Sequence, residues 1–317
     1  MFLILSAIAP VFLLLVLGNL LRRLGFPDGR RSPESGGFWQ AADRLVYWVL
    51  FPALLFQETS RAPVGDGALG GYAMILLGAM LTSGLLTLAI ARLCRASNTA
   101  SGSIFQGAMR HNTFIAFAVC DSLFGAAGMA QASLATSVLV PATNVAAVTT
   151  LILLRHDHAA GGLGRRLAQE LVRNPFLIAI GLGLICNVTG FPVPQVVRDS
   201  LGLLARVALP LALLCIGAAL HMRALRRAGL PTLISALGKL ALFPAVVFGL
   251  VTLLGLSGMP AMVAAIYGAV PTAVSGYALA RQLGSDAELM AVIITAQTVV
   301  AIVTMPITLQ LAVSFFG

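Results

Sequence analysis

The sequence predicts an all-α integral membrane protein of ten transmembrane helices, arranged as two inverted five-helix repeats with broken helices 4 and 9. Three observations predict it: the composition, the placement of arginine between apolar runs, and an internal repeat of prolines and glycines. Hydrophobic residues make up 59% of the 317-residue chain, charged residues only 10%, and the mean hydropathy is +0.96. A soluble domain of this size needs far more charge to cover its surface. In lipid the apolar face points outward, and a span needs about 20 apolar residues to cross roughly 30 Å of hydrocarbon. The chain has room for ten such spans and short loops.

Apolar runs fall at about 2–21, 44–58, 68–91, 100–123, 130–154, 173–189, 198–220, 230–255, 258–281 and 287–316. Each must be helical, because hydrocarbon offers backbone groups no other partner. The first run lacks a basic segment before it, and Arg22 and Arg23 follow it. That pattern predicts a retained helix with its N-terminus outside, not a signal peptide. The stretches after helices one, three, five, seven and nine hold fifteen arginines: Arg22, Arg23, Arg30, Arg31, Arg44, Arg92, Arg95, Arg155, Arg165, Arg166, Arg173, Arg223, Arg226, Arg227 and Arg281. The termini and the other loops hold only Arg61 and Arg198. The positive-inside rule then puts both termini outside. The net charge of +9 is therefore a topology signal, and nucleic acid is not expected as a partner. The chain divides into a first repeat at 1–154, a cytoplasmic connector at 155–172 and a second repeat at 173–317. The long loops 22–43 and 155–172 read as flexible cytoplasmic connectors.

The repeat appears on sliding the chain by about 165 residues. Pro10 meets Pro175, Gly18 meets Gly183, and Gly25-Phe26-Pro27 meets Gly190-Phe191-Pro192. At slightly shorter offsets Phe51-Pro52-Ala53 meets Leu209-Pro210-Leu211, and Gly107-Ala108 meets Gly268-Ala269. Matched leucines carry no information in such a chain, but prolines and glycines fix kinks and close contacts. Halves of five spans each must lie in opposite orientations, and inverted repeats mark secondary transporters.

The fourth span is interrupted by Arg110-His111-Asn112-Thr113, and its mate by Pro271-Thr272-Ala273-Val274-Ser275-Gly276. Paired interruptions are the best pointer in a sequence to a transporter site. Unwound half-helices present free N–H groups and partial positive charge, which suits a carboxylate. The candidate substrate-binding residues are Arg110, His111, Asn112, Asn144, Pro271, Thr272, Ser275 and Gln297. Asn144 and Gln297 could instead make interhelical hydrogen bonds. His111 is a candidate proton relay or a packing residue, and Asp121 a candidate titrating group. Arg206 and Lys239 could hold an anion, or pair with Asp43, Asp121 or Asp199. His156-Asp157-His158 reads as a solvated loop, not a metal site. The cysteines Cys94, Cys120, Cys186 and Cys215 stand alone, with no CxxC pair, so neither a metal nor a redox pair is expected. No cofactor is called for. Neither a P-loop nor a nucleophile–base set occurs, which argues against an ATP-driven pump and an enzyme.

The chain resembles the auxin efflux carrier family over nearly its whole length. The resemblance rests on Pro10 to Gly18, Phe51-Pro52-Ala53-Leu54-Leu55, Arg110-His111-Asn112-Thr113, Pro141-Ala142-Thr143-Asn144 and Asn174-Pro175. It continues through Pro210-Leu211-Ala212-Leu213 with Gly217, Pro271, Ala280-Arg281-Gln282-Leu283-Gly284-Ser285-Asp286 and Met305-Pro306. It implies a scaffold of spans one, two, six and seven and a moving unit of the others, crossed at spans four and nine. It further implies elevator-type transport of a small organic anion (malate, malonate or an auxin-like acid), a site at Asn112, Asn144 and Pro271, a homodimer, and residence in the bacterial inner membrane. One departure stands out. Members carry a proline about seven residues after the span-four Asn, and none occurs here between Asn112 and Gly125. The first break is then softer, or shifted onto Arg110 to Thr113. A membrane sensor or channel-like binding protein is the competing expectation, weakened by the repeat and by the lack of a signalling domain.

Overall fold

The computed structural model describes residues 2–27, 37–61, 69–155 and 172–316. Among these residues the regular structure is helical throughout, with no strand. The helices are α1 (Phe2–Leu24), α2 (Phe38–Leu45), α3 (Phe51–Thr59), α4 (Leu69–Leu93), α5 (Asn98–Met109) and α6 (Thr113–Arg155). They continue as α7 (Pro175–Thr189), α8 (Gln195–Ala219), α9 (Leu230–Leu237), α10 (Phe243–Leu253), α11 (Gly258–Ala269), α12 (Ser275–Gln282) and α13 (Ala287–Phe316). Six helical segments are long and apolar enough to cross a membrane, and α7 and α11 are shorter apolar helices. Large apolar side chains such as Leu13, Leu203 and Leu253 lie exposed on the outside, as a lipid-facing surface requires. The chain is a multi-pass membrane protein. Most of the connector at 155–172, including His156-Asp157-His158, lies outside the described residues, as does the middle of loop 22–43.

Two proline-driven distortions shape the fold. A π turn at Val46–Leu50 joins α2 to α3, and another at Gly238–Leu242 joins α9 to α10. Each is followed by Phe-Pro-Ala, at Phe51-Pro52-Ala53 and Phe243-Pro244-Ala245. Proline has no N–H, and its ring clashes with the carbonyl four residues back, so the helix widens before it. In the second case Ser83 Oγ of α4 donates to the Gly238 carbonyl at 2.6 Å.

The segment 98–154 is not one rod. It is interrupted at 110–112 and again at Gly125, whose φ of 56° and ψ of −142° lie outside the helical region. Glycine adopts this conformation without a Cβ penalty. Gly128 then packs so tightly on Cys120 that an added Cβ would lie 2.5 Å from its carbonyl oxygen. A straight helix would hold residues eight apart by about 12 Å, so the chain folds back at Gly125.

Packing separates two groups of helices. α1 lies along α8, while α3 packs on α7 and α8. At the α1–α8 crossing, Gly18 faces the Leu214 carbonyl and Gly217 faces the Leu15 carbonyl, with no room for a Cβ at either. Small residues let backbones approach in this way, so dispersion contacts accumulate where no hydrophobic drive exists. Asn19 Nδ2 donates to the carbonyls of Gly217 and Leu220 at 3.1 and 3.0 Å, and Arg22 donates to that of Ala218 at 2.6 Å. These add side-chain donors to the carbonyls at the end of α8, where the Gly217 carbonyl also accepts from the Leu220 N–H at 3.2 Å. α7 is delimited locally: Asn174 Oδ1 accepts from the N–H of Phe176 at 2.9 Å, Pro175 opens the helix, and left-handed Gly190 closes it. An aromatic cluster ties these helices to the interrupted one. Phe51 stands edge-on to Phe114 and Phe117, with ring centroids 4.5 and 5.3 Å away, and lies tilted on Phe176 at 5.0 Å.

Replacing Gly217 by Val drives a side chain into the Leu15 carbonyl. Overpacking of this kind costs about 1–3 kcal/mol. Gly217→Val in detergent is expected to unfold at a lower temperature than the parent, followed by size-exclusion recovery after heating, whereas Gly181→Ala, which meets open space, is expected to match it.

Candidate functional site

The two sequence interruptions meet. α5 stops at Met109, residues 110–112 are non-helical, and α6 starts at Thr113; α11 stops at Ala269, and α12 starts at Ser275 after five non-helical residues. The N–H of Asn112 donates to the Pro271 carbonyl at 2.8 Å, one break directly to the other. The Asn112 side chain also starts α6, since its Oδ1 accepts from the N–H of Ile115 at 3.1 Å. This is N-capping, and it explains why an Asn can restart a helix without a nearby proline. The first break therefore lies on residues 110–112, the shifted position that the sequence left open.

Gln297 of α13 holds the crossing from behind. Its Nε2 donates to the Gly107 carbonyl at 3.0 Å and to the carbonyl and hydroxyl of Ser235 at 3.1 and 3.3 Å. Its Oε1 accepts from the N–H of Thr272 at 3.0 Å. One amide thus ties α5, α9 and the second break together. Of the two roles open to Gln297, the structure shows the interhelical hydrogen bond. Gly107 permits it, for a Cβ there would press on the Ser235 hydroxyl and lie 2.6 Å from Ile293.

Arg110 is only 8% exposed. Its Nη2 donates to Ser275 Oγ at 3.0 Å, the first residue of α12, and to Asn144 Oδ1 at 3.4 Å on α6. Arg110, Asn144 and Ser275, from three separate stretches of chain, are thereby brought together. The remaining guanidinium atoms Nε and Nη1 are buried without a partner, and so are both ring nitrogens of His111, Asn112 Nδ2 and the side-chain amide of Gln106. His111 is 3% exposed and packs on the Tyr267 ring with centroids 5.4 Å apart. Buried polar atoms are paired in the great majority of cases, and each unpaired one costs about 1–3 kcal/mol. A concentration of them on three consecutive residues, mostly able to donate, is an arrangement that a ligand with several acceptor oxygens would complete. The N-termini of α6 and α12 open at the same place and add partial positive charge.

The other sequence candidates fall elsewhere. Asp121 is exposed, near the end of the first arm of α6. Arg206 is exposed on α8, away from the crossing. Neither Arg206 nor Lys239 pairs with Asp43, Asp121 or Asp199, which corrects that expectation: Asp199 accepts from Gln195, and Lys239 bonds main-chain carbonyls. No group of three metal-ligating side chains occurs among the described residues. Sequence reasoning missed Gln106 and Ser235 as members of the crossing. Gln106 adjoins the polar interruption and was within reach of that signal; Ser235, in an apolar run, gave none.

Residues 162–309 match the family described as "Membrane transport protein". The chain is 27% identical over 308 residues to an "Uncharacterized transporter" of Methanothermobacter thermautotrophicus, covering 95% of this chain and 96% of that one. It is 26% identical over 314 residues to a "Putative malonate transporter" of Rhizobium meliloti, covering 94% and 92%.

Gln297→Leu leaves the Thr272 N–H and the Gly107 and Ser235 carbonyls without these partners, each worth about 1–3 kcal/mol when buried. The variant is expected to lose several degrees of thermal stability in detergent; unfolding at the parent's temperature would show that the amide does not hold the crossing.

Proposed function

We propose that this chain, which belongs to the auxin efflux carrier family of membrane transport proteins, is a secondary carrier of small organic anions bearing carboxylates. The observation that carries this is the set of unpartnered, mostly donating groups on Arg110, His111 and Asn112 where the two breaks touch. Carboxylate oxygens would accept from Arg110 Nε and from Nη1, which point to different sides of the guanidinium and so offer two separate charge-assisted hydrogen bonds. Asn112 Nδ2 and His111 lie on neighbouring residues for a second acceptor group. That favours a dicarboxylate such as malonate or malate over a monocarboxylate. The relative named for malonate is consistent with this.

The proposed cycle is alternating access. The spans are proposed as ten, in two inverted repeats over 1–154 and 173–317, with both termini outside the bacterial inner membrane. The matched breaks at 110–112 and 270–274 support this. The packing of α1, α3, α7 and α8 on one another supports a scaffold against which the crossing helices move as an elevator. Ser275 and Asn144 would hold Arg110 in place as the anion binds, while Pro271 and Thr272 shape the second break. A homodimer through the scaffold goes with this reading. A sensor that binds the same anion without cycling is the second reading.

Counterflow of labelled malonate, malate and indole-acetate in proteoliposomes tests the proposal. Malonate and malate are expected to exchange, whereas a sensor would bind but show no counterflow. Arg110→Ala is expected to lower dicarboxylate counterflow about 10- to 100-fold, matching the roughly 1.5–3 kcal/mol of a hydrogen bond to a charged group. Dicarboxylate exchange by Arg110→Ala at the parent's rate would sink the assignment.

A further inference from the structure

Lys239 is fully buried, at 0% exposure, in the π turn Gly238–Leu242. Its Nζ donates to the carbonyls of Tyr267 and Gly268 at 3.0 and 3.2 Å. The third side of the ammonium rests on the Phe243 ring, 3.7 Å from its centroid. Among the described residues no carboxylate pairs with it. A charge so deep in an apolar span is expensive, and intramembrane ionisable groups mark functional positions by default.

The location of those two carbonyls gives the charge its meaning. α11 ends at Ala269 because the chain breaks at 270–274. The Tyr267 and Gly268 carbonyls belong to its last turn, where no following helical N–H reaches them and the partial negative end of the dipole lies. In carriers built on broken helices, such half-helix C-terminal carbonyls hold the mobile Na⁺ or H⁺ that drives transport. Here a side chain has taken the position. The surroundings are built for it. Pro244 forces the π turn that carries Lys239, and Ser83 Oγ satisfies the Gly238 carbonyl beside it. Tyr267 is itself fixed, its hydroxyl donating to the Ala132 carbonyl at 2.8 Å and lying 2.7 Å from Thr136 Oγ1. The Tyr267 ring also packs against His111 of the candidate site, with centroids 5.4 Å apart. A cation at this point thus borders the residues proposed to take the anion.

We propose that the Lys239 ammonium is a tethered cation occupying the half-helix carbonyl site in which a cation-driven carrier would bind a mobile ion, so that transport by this chain needs no Na⁺. The inference rests on the carrier reading above, and the experiment separates the two. Malonate and malate counterflow by the parent is measured first; its absence removes the carrier reading before Lys239 is tested. Given counterflow, its rate is expected to stay unchanged when Na⁺ is replaced by choline on both sides, and a requirement for Na⁺ would overturn the proposal.

Lys239→Ala removes the ammonium and leaves space beside the two carbonyls. Monodisperse Lys239→Ala is expected to lose counterflow about tenfold or more, the scale of a coupling free energy between sites. Ammonium, methylammonium or Na⁺ at tens of millimolar is expected to restore it. Lys239→Met keeps the bulk without the charge, and is expected to be inactive and unmoved by the same ions. A merely structural lysine predicts otherwise, and either of two results would overturn the tethered-cation assignment: folded Lys239→Ala that no cation restores, or Lys239→Met exchanging at the parent's rate. If Lys239→Ala does not fold, the choline replacement and Lys239→Met decide the matter.

Discussion

A helix interrupted inside hydrocarbon leaves main-chain N–H and C=O groups with no partner, and lipid supplies none. The described structure is organised around the two places where this happens. At 110–112 and 270–274 the orphaned groups are satisfied from other parts of the chain: the Asn112 N–H by the Pro271 carbonyl, the Thr272 N–H by Gln297, the Gly107 carbonyl by the same amide, and the Tyr267 and Gly268 carbonyls by Lys239. Each bond fixes a helix end relative to a neighbour. Together they hold α5, α9, α11 and α13 in one arrangement around the crossing.

The main chain at the breaks is better satisfied than the side chains beside it. Arg110, His111, Asn112 and Gln106 keep buried atoms without partners. Hydrogen bonds to Ser275 and Asn144 fix one edge of the Arg110 guanidinium and leave its other nitrogens unpaired. A rigid donor array of this sort is preorganised, so a bound anion loses little to reordering the protein.

Elsewhere the molecule relies on close approach. Gly18 and Gly217 bring α1 and α8 together, and Asn19 and Arg22 cap the end of α8. The aromatic contact of Phe51 with Phe114, Phe117 and Phe176 joins this group to α6. The contrast is between a glycine-packed, capped set of helices and a crossing held by hydrogen bonds. Apolar ring contacts lie where the two meet, and these can slide with less penalty than paired polar groups can separate.

Much of this was legible in the sequence. Composition alone required a membrane and helices, polar residues marked the first break and Pro271 with Gly276 the second, and Asn174-Pro175 and Gly190 delimited α7 because capping and left-handed turns are local effects. The polar run at 110–113 marked the first break for the same reason: a polar interruption of an apolar span is visible wherever it folds. Contacts between distant stretches were not legible. Nothing in the spacing said that Gln297 would staple the crossing instead of facing a ligand, that Ser235 would join it, or that Lys239 would bond Tyr267 and Gly268 in place of an aspartate. A side chain's partner depends on which helix faces it and at what height, and only tertiary packing fixes that. The sequence by itself determined that the chain breaks two helices in lipid, since proline and polar residues act on their own backbone; the tertiary structure decided which groups were satisfied there and which kept no partner within the protein.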